Sequence, residues 1–139
     1  CNACPWVKAW EERTVALGNE YAKKGIGVVA VNANDPGVVK EDGFDVMQTR
    51  AKERRIEYPY VVDQGSRLAK AFGAERTPEA FLFDASGKLV YHGTIDDNAQ
   101  SPGEVKEQYL RTALQALVDG KKIEVAETKS LGCTIKLYK

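Results

Sequence analysis

Apolar residues recur at intervals of three and four from the start of the chain. Val7, Trp10, Leu17 and Tyr21 fall on one helical face, with Thr14 between them, while Lys8, Glu11, Glu12, Arg13 and Lys23 take the other faces. This spacing predicts a core-facing helix from Trp6 to about Lys23, closed by Gly25. The period then changes. Ile26 to Asn32 is a short β-branched run without alternation, the pattern of a strand buried on both faces. Asn34-Asp35-Pro36-Gly37 interrupts it, and Val38 to Phe44 reads as a polar connection into a second helix at roughly Asp45 to Glu57. Val46, Met47 and Ala51 are that helix's apolar positions, and Arg50, Lys52, Arg54 and Arg55 form a basic face read as solvated.

The second half repeats the alternation of strand and helix. Tyr58 to Asp63 reads as a strand opened by Pro59, Gln64-Gly65 as a turn, and Ser66 to Phe72 as a short helix closed by Gly73. Glu79 to Asp84 and Lys88 to Gly93 are two strands joined by Ala85-Ser86-Gly87, a connection so short that they must run antiparallel. The sheet is therefore mixed. After a polar segment from Asp96 to Gly103, the positions Val105, Tyr109, Leu110, Ala113, Leu114 and Leu117 mark a last helix that stops at Gly120. Residues 121–139 form a tail with one alternating run, Thr134 to Tyr138. The class is α/β, with residues 1–139 as a single domain.

Composition narrows the function. Twenty Lys and Arg balance twenty Asp and Glu, so no electrostatic footprint points to nucleic acid or to an anionic membrane surface. No stretch approaches the length of a membrane-spanning helix. A chain of 139 residues that is 43% hydrophobic builds a core without staples, so its three cysteines are better read as chemistry than as scaffold. Two of them open the chain in Cys1-Asn2-Ala3-Cys4-Pro5. Pro5 fits an early helical position, which puts both thiols at a helix N-terminus. There the free N–H groups and the helix dipole favour the thiolate, the species that attacks disulfides. Taken alone, the C-x-x-C reads equally as a structural disulfide, half of a zinc site, or two small residues. Cys133, alone before the alternating run, has two readings: a small buried apolar residue, the commonest role of a lone cysteine, or a third thiol that reaches the first two. Asp96 and Asp97 read as a solvated loop rather than an acid/base pair.

The order of these parts carries more than any one of them. A C-x-x-C-P at a helix start, a buried strand, an inserted helix-strand-helix, and Thr77-Pro78 just before a strand-turn-strand and a last helix resemble a thioredoxin-like domain. The chain is similar to the alkyl hydroperoxide reductase/thiol-specific antioxidant (redoxin) and TlpA/ResA-like branch. Within that branch it resembles proteins with C-N-x-C-P, V-N-x-N-D, T-P before F-L-F-D-x-x-G-K-L-V-Y, D-D-N and a terminal G-C-[ST]-I-K, here Cys1 to Pro5, Val31 to Asp35, Thr77-Pro78, Phe81 to Tyr91, Asp96 to Asn98 and Gly132 to Lys136.

The resemblance implies a three-layer thioredoxin-like sandwich with a mixed central sheet flanked by helices. It implies Cys1 as the exposed nucleophile, Cys4 as the buried resolving thiol, and Pro78 as a cis-proline whose loop lets the Thr77 backbone align an extended substrate. Such domains lead into the C-x-x-C through a central strand. None precedes Cys1, so the domain is expected to be N-terminally incomplete, because a vacant central position leaves unpaired backbone groups on both neighbours. The helper carboxylate of thioredoxins lies on that strand, which leaves the proton acceptor for Cys4 unassigned.

The function so implied is thiol-disulfide exchange with protein substrates, with no cofactor and with a thioredoxin-type protein as reductant. Two alternatives stay open. One is a thiol peroxidase in which Cys4 or Cys133 condenses with a Cys1 sulfenic acid. The other is copper or zinc binding without catalysis by the cysteines and His92, the single histidine, although copper-delivery relatives space their cysteines by three residues rather than two. Similar proteins occur in the cytoplasm and beyond the bacterial inner membrane, and the TlpA/ResA-like ones point to the periplasm.

Overall fold

Pro5 opens the first helix, α1 (Pro5–Lys23), and the helix turns Trp10, Leu17 and Tyr21 inward, as the spacing predicts. In the computed structural model, which describes residues 1–139, there follow β1 (Ala30–Asn32), α2 (Phe44–Glu53), β2 (Tyr60–Val62), α3 (Arg67–Phe72), β3 (Arg76–Thr77), β4 (Ala80–Phe83), β5 (Leu89–Gly93), α4 (Tyr109–Val118) and β6 (Cys133–Thr134). Leu17 and Tyr21 of α1 pack with Leu82 of β4, Tyr91 of β5, and Ala113 and Leu114 of α4. A smaller cluster joins Trp10 to Ile95 and Ala99. One helix therefore holds the hairpin and the last helix together, and its N-terminus carries the cysteines.

Several boundaries differ from the sequence reading for local reasons. α2 stops at Glu53 because Arg55 takes a left-handed φ of 56°. Its basic face is only partly solvated: Arg50 and Arg54 both pair with Glu11 of α1. α4 begins at Tyr109 rather than Val105, because Pro102 first opens a short 3₁₀ turn over Pro102–Glu104. Asp96 is not in a solvated loop. It is buried, and it accepts hydrogen bonds from the Trp10 indole at 2.8 Å and the Arg13 guanidinium at 2.5 Å, two α1 groups that need an acceptor once they leave water.

Both strand senses are present, in three separate two-stranded ladders: β1 with β2 in parallel, β4 with β5 antiparallel, and β3 with β6 antiparallel. β1 uses one edge only. Its Ala30 amide and Asn32 carbonyl bond towards the β2 side, to Pro59 and Asp63, and the two-residue period turns the Val31 groups the opposite way. That opposite edge faces an apolar trough of about 380 Å³, lined by Val28, Val31, Tyr58, Phe81, Leu82 and Leu114 among others, which separates β1 from β4. The strand expected over Ile26 to Asn32 and buried on both faces is only Ala30–Asn32, where Asn32 alone is buried, and Val29 before it is 59% exposed. Cys1 and Asn2 are among the residues that line the trough.

Candidate redox site

Cys4 is the N-cap residue of α1, extended at φ −65° and ψ 127°, with no side chain capping the helix and no acidic residue in its first turn. The first helical bond runs from the Lys8 amide to the Cys4 carbonyl at 3.0 Å. The Trp6 and Val7 amides therefore have no partner within the helix, and with the dipole they leave positive potential at the end that carries the thiols. Cys4 is buried and Cys1 half-buried.

Three sulfurs meet around one residue. Thr77 Oγ1 donates to Cys1 Sγ at 3.4 Å, and Cys4 Sγ lies 3.3 Å from the Thr77 carbonyl oxygen. Cys133 is the register partner of Thr77 in the β3–β6 ladder. The Thr77–Pro78 peptide bond is cis. Cys4 and Cys133 form a disulfide across 129 residues, with Cα atoms 6.2 Å apart, and Cys1 is the free thiol.

Of the two readings of Cys133, this geometry matches the third thiol that reaches the first two. The resemblance pairs Cys4 with Cys1 as resolving thiol and nucleophile; here Cys4 is bonded to Cys133 and Cys1 is free. The cause is the register of β6, which brings Cys133 opposite Thr77. Nothing in a lone cysteine before an alternating run specifies that partner. Gly132 permits the approach, because a Cβ there would run into the backbone of Thr77. Of the alternating run only Thr134 is in a strand, β6, which begins one residue earlier at Cys133.

A buried polar network holds the loop between the first two cysteines. Asp42 accepts from the Asn2 backbone N–H at 2.6 Å, from Asn32 Nδ2 at 3.1 Å and from Asn34 Nδ2 at 2.9 Å, while Asn2 Nδ2 donates to the Glu41 carbonyl at 2.9 Å. The Tyr60 hydroxyl donates to Asn2 Oδ1 at 2.8 Å, and burial, then the nearby Asp42 carboxylate, holds its pKa well above the usual tyrosine range. Asn34 also accepts from the Lys136 amide at 2.8 Å, so the same network reaches the segment carrying Cys133. Sequence reasoning passed over Asp42 as part of a polar connection. The available signal was Asn32-Ala33-Asn34, two amides on one face where an apolar strand ends. His92 stands outside this network: its Nε2 is 2.5 Å from Glu79 Oε2, and its ring stacks on Phe81 at 4.5 Å. No three His, Cys, Asp or Glu residues group as a metal site.

The sequence profile of the Redoxin family matches residues 1–110. The chain belongs to the Redoxin family. Curated relatives include thiol-disulfide oxidoreductase ResA of Bacillus thuringiensis subsp. konkukian, 23% identical over 109 residues that span 76% of this chain and 57% of that protein. ResA of Halalkalibacterium halodurans is 26% identical over 87 residues, 63% of this chain and 46% of that protein. The chain spans about half the length of these curated relatives. Among solved structures, an uncharacterized conserved protein from Geobacillus kaustophilus superposes with a TM-score of 0.92 at 37% identity, covering 99% of this chain and 74% of that one. A hypothetical protein from Sinorhizobium meliloti gives 0.89 at 36% identity, covering 99% and 75%. This Redoxin chain thus has the thioredoxin-like fold that its motif order implied.

Proposed function

We propose that this Redoxin chain is a thiol-disulfide oxidoreductase acting on protein disulfides. The observation that carries the reading is the meeting of the Cys1 and Cys4 sulfurs on Thr77, beside Pro78, at the uncapped N-terminus of α1. The Cys1 thiolate, the more accessible of the two, attacks a substrate disulfide. One substrate sulfur leaves as a thiolate and the other stays bonded to Cys1. Attack by the Cys4 thiolate on the Cys1 sulfur then releases the second substrate thiolate and leaves the enzyme oxidised. Thr77 Oγ1, which donates to Cys1 Sγ, steadies the attacking thiolate by a hydrogen bond to its charged form. Asp42 positions the reaction by pinning the Asn2 amide between the two cysteines. A thioredoxin-type dithiol protein restores the reduced state.

The trough has a role in the same reading: it seats an extended apolar strand running into Cys1. Support comes from the unpaired edge of β1, the apolar lining and the presence of Cys1 in that lining.

Catalysed reduction of insulin by dithiothreitol tests the function. The chain is expected to accelerate it, and Cys1→Ser to return it to the uncatalysed rate. No acceleration by the wild type, combined with rapid consumption of a hydroperoxide, would replace this reading with a thiol peroxidase.

A further inference from the structure

Cys4 has two possible sulfur partners around the same Thr77, and the structure joins it to the one outside the C-x-x-C motif. We propose that Cys133 is a third redox-active thiol of this centre. Cys4 is the shared sulfur, and the oxidised chain exchanges between a Cys1–Cys4 and a Cys4–Cys133 disulfide. The inference rests on the thiol-disulfide exchange proposed above and assigns that site an additional residue.

The exchange needs no outside oxidant or reductant. Once substrate has been reduced and Cys1–Cys4 has formed, the Cys133 thiol gives its proton to water and its thiolate attacks Cys4 Sγ. The Cys4–Cys133 bond forms, the Cys1–Cys4 bond breaks, and Cys1 leaves as a thiolate with the electron pair. The chain stays oxidised by two electrons throughout. What changes is which sulfur is free: Cys1, the one that engages substrate.

Three features favour a working thiol over an inert cross-link. A permanent Cys4–Cys133 bond would remove the only sulfur in the C-x-x-C able to resolve a Cys1 adduct. The segment of Cys133 also has ties that do not run through the bond. It is held by the Ile135 amide on the Glu75 carbonyl at 3.0 Å, the Asp35 amide on the Lys136 carbonyl at 2.7 Å, and the Tyr138 amide on Ser66 Oγ at 3.0 Å. A thiol so fixed attacks its neighbour at high effective concentration, with no chain to reorder. Finally, Cys133 is half-buried where Cys4 is only 6% exposed, so an external thiolate regenerating the oxidised chain reaches the disulfide most readily at Cys133.

The test maps disulfides in the full chain. Protein oxidised by stoichiometric substrate disulfide is quenched in acid, its free thiols are alkylated, and peptides are identified by mass. The expected product is Cys4–Cys133 with Cys1 alkylated, and in Cys133→Ser it is Cys1–Cys4. Labelling of Cys1 in the oxidised chain should then fall by at least about tenfold in Cys133→Ser. Gly132→Ala, which alters no cysteine and forces β6 away from Thr77, should shift the wild-type mixture towards Cys1–Cys4. If the wild type turns over insulin while its oxidised form holds only Cys1–Cys4 with Cys133 fully alkylated, the inference is overturned and the exchange reading stands. A Cys4–Cys133 bond that survives unbroken through turnover overturns it as well. Loss of insulin reduction in the wild type strikes instead at the reading beneath it. Should Cys133→Ser fail to fold, the mapping in wild type and Gly132→Ala decides.

Discussion

Reducing the chain is expected to cost it much more stability than closing a C-x-x-C alone accounts for. A disulfide lowers the conformational entropy of the unfolded chain in proportion to the logarithm of the loop it closes. For the 129-residue separation of Cys4 and Cys133 this amounts to about 5 kcal/mol at 25 °C. For the three-residue separation of Cys1 and Cys4 it is only about 2 kcal/mol. Urea unfolding reads the difference directly, because Trp10 is fully buried with Trp6 beside it at 5.8 Å, so tryptophan fluorescence follows the loss of the core. With a denaturant slope of about 2 kcal/mol per molar, reduction should lower the wild-type midpoint by about 2.5 M. In Cys133→Ser, which closes only the short loop, the same reduction should lower it by about 1 M. Equal shifts in the two proteins would instead place the oxidised wild-type bond within the C-x-x-C and rule out the long loop.

Removing the carboxylate of Asp42 leaves three buried donors, from Asn2, Asn32 and Asn34, without an acceptor, so Asp42→Ala should cost about 3–5 kcal/mol by denaturant unfolding and slow disulfide exchange through the loosened Asn2. The tyrosines give a pH dependence. Burial raises the pKa values of Tyr58, Tyr60 and Tyr91 above the ordinary 10, so above that pH the unfolded chain releases these protons first and stability falls as pH rises. Unfolding measured from pH 8 to 11 should show the decline, and Tyr60→Phe should reduce its slope. A synthetic apolar strand, or one fused ahead of Cys1, should fill the trough, raise the thermal midpoint and protect the Val31 amide from hydrogen exchange.

The helices that bury a face were legible because a period of 3.6 leaves its mark in one stretch of chain. Trp10, Leu17 and Tyr21 identify the inner face of α1, and Pro5 its first residue. The β4–β5 hairpin was legible for a similar reason, since Ala85-Ser86-Gly87 is too short for anything but a reversal. What failed depended on distant neighbours. The run from Ile26 to Asn32 is as apolar as a doubly buried strand, yet its burial requires a partner across the trough that the pattern cannot supply. Asp96 looked solvated because its two partners, Trp10 and Arg13, lie more than eighty positions earlier. The site divides along the same line. Cys1, Cys4 and the Thr77–Pro78 pair were visible as motifs, whereas Cys133 acquired its role only through the register that sets it against Thr77. Asp42 was hidden because a buried carboxylate and a surface one are the same letter.

Attack on substrate is assigned to the Cys1 sulfur, and trapping of the adduct reports on it without an intervening step. Reduced Cys4→Ser protein, unable to resolve its adduct, is mixed with an oxidised protein substrate such as insulin, quenched with acid and mapped by mass under non-reducing conditions. A stable one-to-one mixed disulfide through Cys1 is expected, absent from the Cys1→Ser/Cys4→Ser double variant. An adduct carried by Cys133 with Cys1 left free, or no adduct at all, would contradict that assignment.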